Sequence, residues 1–71
     1  MLFKDIKLND RFILSDQDNP TQTSTGKVWN IVYYPQSKNH LTIVHFDDGL
    51  GCAVYGGFNE PIHNFMNYLG V

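Results

Sequence analysis

VHFDDGLGCAVYGG, residues 44–57, decides the fold, because it reads either as one β-hairpin or as a compressed active site. Asp47-Asp48-Gly49 lies between two runs rich in β-branched and aromatic residues. A type I turn over the aspartates with Gly49 in the left-handed position of a G1 bulge joins such runs. That register sets Phe46 opposite Leu50. Period-two alternation then gathers Val44, Phe46, Leu50, Cys52 and Val54 on one side as a core face, and sends Leu41, Ile43, His45, Ala53 and Tyr55 to the other. The competing two-residue turn, Asp48-Gly49, exchanges the faces of the strand before the turn only. In both registers Tyr55 points outward and Cys52 inward.

The active-site reading needs Cys52 as nucleophile, His45 as base and Asp47 or Asp48 to orient it. In the bulged register Cys52 and His45 lie on opposite faces and cannot meet. In the other they share a face, but nothing supplies an oxyanion site, so Cys52 is expected to be inert packing. His40, His45, His63, Asp47, Asp48 and Glu60 are the conceivable metal ligands. None shows a zinc spacing such as Cys-x-x-Cys or His-Glu-x-x-His, and solvated turn carboxylates and surface imidazoles describe them better. Gly49-Leu50-Gly51 lacks the third glycine of a dinucleotide loop and leads into a strand. No catalytic residue, metal or cofactor is therefore assigned, and the chain is not expected to be an enzyme.

Outward from the hairpin, KVWNIVYY (27–34) reads as a second strand ended by Pro35, with Trp29, Ile31 and Tyr33 inward and Asn30 and Tyr34 outward. HLTIVHF (40–46) is the third strand. Leu8-Asn9-Asp10-Arg11 supplies a turn, with Asn9 suited to the left-handed conformation, and Arg11 to Ser15 begins the sheet. DQDNPTQTSTG (16–26) has no large apolar side chain; such a long polar loop is a candidate contact element. In FNEPIHNFMNYLGV, Asn59 can cap a helix, Pro61 fits its first turn, Ile62, Phe65, Met66 and Leu69 share a face, and Gly70 is a stop. The pattern predicts a C-terminal helix of about two turns docked on the sheet.

With 71 residues there is room for one domain, 1–71, and burial of only about 60% of the unfolded surface. A 42% apolar share and a net charge of −2 argue against disorder. All five basic side chains (Lys4, Lys7, Arg11, Lys27, Lys38) fall in residues 1–38, against four aspartates, while residues 39–71 carry only Asp47, Asp48 and Glu60. An acidic half without cations argues against a phosphate-binding surface. No apolar run approaches the ~20 residues that span a bilayer, no secretory h-region precedes the domain, and the single cysteine excludes an internal disulfide. The cytoplasm is the expected compartment.

Short strands, tight turns and one terminal helix predict a mainly β protein: a strongly bent antiparallel sheet closed as a small barrel. The chain resembles small SH3-like barrel proteins of bacteria and phages, which often begin F-x-D-L-x-x-G-D-x-F. Phe3, Asp5, Ile6, Asp10 and Phe12 match, and Asn9 replaces the glycine. Val44, Phe46, Asp48 and Gly49 are similar to the V-x-F-x-D-G hairpin of Tudor-like barrels. Tudor-like relatives would imply an aromatic cage, here Tyr34 and Tyr55 with Asp47. In type, a stand-alone acidic chain of this size is similar to small phage-encoded inhibitors of host enzymes, anti-CRISPR proteins among them.

The expected function is non-enzymatic protein binding, as an inhibitor or modulator of a host protein such as a CRISPR effector. Both faces of strands three and four are apolar, and one short chain can scarcely cover both, so a partner surface or a homodimer contact should remain. Asn30, Tyr34, His45, Asp47, Asp48 and Tyr55 are the candidate partner-binding residues. The alternative is a nucleic-acid-binding barrel, with aromatic side chains stacking on bases and Lys27 and Lys38 on phosphates.

Overall fold

A computed structural model describes residues 1–71. Five strands form one antiparallel sheet: β1 (Arg11–Ser15), β2 (Thr23–Tyr34), β3 (Asn39–Phe46), β4 (Gly51–Gly57) and β5 (Met66–Gly70), preceded by a 3-10 turn over Phe3–Asp5. Their spatial order is β4-β3-β2-β1-β5, so consecutive strands neighbour one another until β5 returns to the outer side of β1. No ladder joins β4 to β5. The sheet is open, and the expected barrel closure is not made.

The hairpin reading holds. The Phe46 amide donates to the Leu50 carbonyl, Val44 pairs with Cys52, and Gly49 takes φ +90° at the bulge position. Val44 and Val54 are buried and Phe46 and Cys52 half-buried on the inner face. Leu50 departs from the expectation, being 69% exposed, because its pair is the last of the hairpin and lies beyond the segments that fold over the inner face. Phe46 escapes the same fate through Gly26 across the ladder, where a Cβ would come 2.9 Å from its ring.

β2 corrects two expectations at once. It starts at Thr23, because the β-branched Thr23 and Thr25 pair with Ser15 and Ile13, leaving only 16–22 as a polar loop. It also bulges: Val28 pairs with Val44 and Asn30 with Ile43, so Trp29 is an extra residue. Val28 is gripped from the other side, donating to Asp10 O and accepting from Asn9 N, where Asn9 adopts φ +70° as its residue type suggests. Ahead of the bulge the even positions Gly26 and Val28 face inward; beyond it Ile31 and Tyr33 do, opposite Thr42 and His40. Trp29, expected in the core, is 60% exposed. Tyr33, although on the inner side, is 47% exposed at the rim against His40 and Phe58.

The C-terminal helix does not form. Its residues answer two unpaired edges: the N-terminus claims 58–62, with Phe3 N donating to Glu60 O, Lys4 N to Phe58 O and Ile62 N to Met1 O, and β1 takes Met66–Gly70 as its second neighbour. A helix of about two turns gains too little from its own hydrogen bonds to resist such pairing. Of its apolar stripe only Met66 is buried, Ile62 and Phe65 are half-buried, and Leu69 is exposed. The core comprises Phe3, Ile6, Phe12, Leu14, Val28, Val44, Val54 and Met66, all on the inner side of the bent sheet.

Candidate functional site

The outer face of β2, β3 and β4 has no segment folded over it. Alternation along β3 buries His40, Thr42 and Val44 on the inner side and sends Leu41, Ile43 and His45 outward. Across the ladders the outer face gains Val32 beside Leu41, Asn30 beside Ile43, and Ala53 and Tyr55 on β4. Val32, Leu41 and Ile43 are half-buried and make an apolar floor. Three large aromatic side chains stand over it: Trp29, Tyr34 at 43% exposure and Tyr55 at 51%.

These aromatics are held in place. The bulge brings Trp29 onto His45, with ring centroids 4.7 Å apart and planes 15° from parallel. Asn39 Nδ2 donates to the Tyr55 hydroxyl at 2.9 Å, and Tyr34 leans on Tyr55 at 6.1 Å. Asn30 spends its side-chain oxygen accepting from the Ile31 amide at 2.9 Å, leaving its NH2 donors free for another molecule. Asp47 and Asp48 occupy the adjoining turn, where Asp48 Oδ1 accepts from the Leu50 amide at 2.9 Å. Arg11 approaches Asp47 at 3.8 Å with both side chains well exposed, a pairing worth little in water.

All six residues singled out in the sequence are thus exposed. Asn30, Tyr34, His45 and Tyr55 share one face, and Asp47 and Asp48 border it. Trp29 was missed because alternation from Ile31 and Tyr33 was carried back through the bulge. The only hint of a phase slip is that Gly26 and Val28 suit the inner face at even positions while Ile31 and Tyr33 suit it at odd ones.

Tyr34, Tyr55 and Asp47 do not line one enclosed cage. Tyr34 and Tyr55 meet near the β2–β3 turn, whereas Asp47 sits in the β3–β4 turn at the other end of β3. No group of three His, Cys, Asp or Glu side chains is close enough to hold a metal ion. Cys52 lies on the inner side opposite Val44 and His45 on the outer side against Trp29, so the two form no catalytic pair.

Burial pushes the Cys52 thiol above its ordinary value of 9.0, which disfavours the nucleophilic thiolate. Alkylation of Cys52 by iodoacetamide at mildly alkaline pH should run at least about tenfold slower than alkylation of a free thiol, and denaturant should remove the difference. Rapid alkylation of the folded protein would show an activated cysteine instead.

No helix is long and apolar enough to cross a membrane. Compared with protein-family models, curated proteins and solved structures, the chain matches none.

Proposed function

We propose that the protein is a non-enzymatic protein-binding module whose contact surface is the outer face of β2, β3 and β4. The observation that carries this reading is that Trp29, Tyr34 and Tyr55 all stand exposed on one face over a half-buried apolar floor, Trp29 at the His45 end of β3 and the two tyrosines at its Asn39 end. Tryptophan and tyrosine supply large contact area at low conformational-entropy cost, and they dominate the energetics of protein interfaces. Asn30, His45, Asp47 and Asp48 form the polar rim such a surface needs to exclude wrong partners. Occupation of a host protein's working surface, as an inhibitor or modulator, is the mode of action that suits a rigid module of this size. The likeness to phage-encoded inhibitors supports that mode by type, and the return of β5 to β1 suits a relative of SH3-like proteins whose barrel has stayed open.

One observation favours the alternative of nucleic-acid binding. Trp29 stacked on His45 is a π platform of the kind on which a base stacks. Against it, Lys27 is the only cation on the outer face of β2, β3 and β4, Lys38 sits in the β2–β3 turn, and Arg11 is drawn to Asp47. No row of cations follows the aromatics.

Charge reversal separates the two. Asp47→Lys with Asp48→Lys should slow association with the protein partner about tenfold or more at low salt, because rim charges act through steering, while Lys27→Glu with Lys38→Glu should change it little. Titration with fluorescent single- and double-stranded oligonucleotides at low and physiological salt should show no binding tighter than about 10 μM. Salt-sensitive oligonucleotide binding, abolished by the lysine variants and untouched by the aspartate ones, would establish the alternative.

A further inference from the structure

β4 is an edge strand, and no strand pairs with its outer edge. Because Phe46 N donates to Leu50 O, the hydrogen-bonded pairs of the β3–β4 ladder fall at Val44–Cys52, Thr42–Val54 and His40–Gly56. The backbone groups of Gly51, Ala53 and Tyr55 therefore point away from the sheet. Of these, the Tyr55 carbonyl accepts from His63 Nε2 at 3.0 Å. Edges are ordinarily blunted by a charged side chain, a proline or a bulge, and Gly51–Gly57 contains no charged residue or proline and pairs with β3 without a register shift. Beside this edge runs a groove of about 660 Å³, walled by Cys52, Ala53 and Tyr55 on one side and by His63, Asn64 and Phe65 on the other.

The geometry points to β-strand addition: an extended, cationic segment of a protein partner pairs with the free edge of β4 and lays alternate side chains into the groove. An unpaired row of backbone donors and acceptors is satisfied by another extended backbone, and the groove gives alternate side chains of that strand a place to sit. Charge selects the occupant. Asp48 stands in the turn at one end of β4, and the Glu60 carboxylate lies against Gly57 at the other. The groove lining between them includes no Asp, Glu, Lys or Arg side chain. A strand with a lysine or arginine near each end would meet a carboxylate at both. A second copy fits worse, because antiparallel pairing of two β4 edges brings the Asp48 end of each against the Glu60 end of its partner.

This inference rests on the reading of the protein as a partner-binding module and adds a second contact to its outer face. The test uses the full chain and a defined probe, the acetylated and amidated heptapeptide KTVTVTK, followed by amide exchange and chemical shifts in NMR. On saturation, exchange at Gly51 and Ala53 should slow about tenfold or more, while Cys52 and Val54, already in the ladder, should change little. The same peptide with glutamate at both ends, or methylated on alternate backbone nitrogens, should bind at least about tenfold more weakly.

Ala53→Pro deletes an outward donor without touching the β3 ladder and should abolish binding. If that variant does not fold, Asp48→Lys with Glu60→Lys, both in exposed turns, should reverse the preference toward the glutamate peptide. Equal binding of the methylated peptide, shifts confined to Trp29 and Tyr34, self-association through β4, or no binding would each overturn the edge site. Shifts confined to those two aromatics would still leave the module reading standing. Loss of that reading would come instead from the Trp29→Ala variant retaining full partner affinity.

Discussion

Phe3→Ala is expected to remove roughly half of the protein's folding stability. The Phe3 ring is fully buried, meets His63 edge-on at 5.0 Å and lies flush against Gly56, where a Cβ would overlap it. The same residue anchors the N-terminal strap, its amide donating to Glu60 O at 2.9 Å. Truncating a buried phenylalanine costs about 3–5 kcal/mol, against a total stability of roughly 4–10 kcal/mol for a chain of this length.

Gly56→Ala acts from the opposite side and should cost about 1–3 kcal/mol through overpacking. The two positions are coupled. In a Phe3→Leu background Gly56→Ala should cost measurably less than in the wild type, because the smaller side chain can yield to the methyl group. Urea denaturation followed by circular dichroism measures all three variants. Full additivity would mean that the N-terminal strap does not pack on β4 as described.

The second large effect concerns function. Trp29→Ala and Tyr55→Ala should each weaken partner binding by about 2 kcal/mol or more, roughly a thirtyfold loss, since central aromatic anchors carry most of an interface's free energy. Their effect on folding should stay near or below about 1 kcal/mol, because both side chains stand mostly in solvent. The contrast with Phe3 is the informative part. Trp29 and Phe3 are both large aromatics in a small protein, yet one should behave as core and the other as surface. Isothermal titration of the partner beside urea denaturation of the same variants reads both quantities. A Trp29→Ala protein that loses stability and keeps its affinity would return Trp29 to a structural role.

Local chemistry made much of this legible. Gly49 in the left-handed region, Asn9 at φ +70° and the Val44–Cys52 register all follow from residue preferences acting over a few neighbours. So did the outward placement of Tyr34, His45 and Tyr55, which needed only alternation within one strand. The misreadings have a different origin. Trp29 depends on a bulge created where Asn9 and Asp10 grip Val28 from the neighbouring chain segment, an interaction about twenty residues away in sequence.

The C-terminal helix failed for a related reason. Ile62, Phe65, Met66 and Leu69 do satisfy helical spacing, but a bare β1 edge and a free N-terminus compete for the same backbone, and pairing with both outweighs a two-turn helix. Leu50 was misplaced because alternation tells which face a residue is on and says nothing about whether that face is covered there. The open edge of β4 was hidden by the same expectation of closure. A barrel would have paired it, whereas β5 pairs only with β1.

The most direct measurement of the central claim is affinity capture from a nuclease-treated cell lysate. It compares immobilised wild-type protein with the Trp29→Ala, Tyr55→Ala double variant, each checked for native stability beforehand. A binding module acting through its outer face should retain a discrete protein near one-to-one stoichiometry in the wild type, and the double variant should lose it. Equal retention by both proteins, or a wild type that retains only nucleic acid when nuclease is omitted, would contradict the assignment of that face to a protein partner.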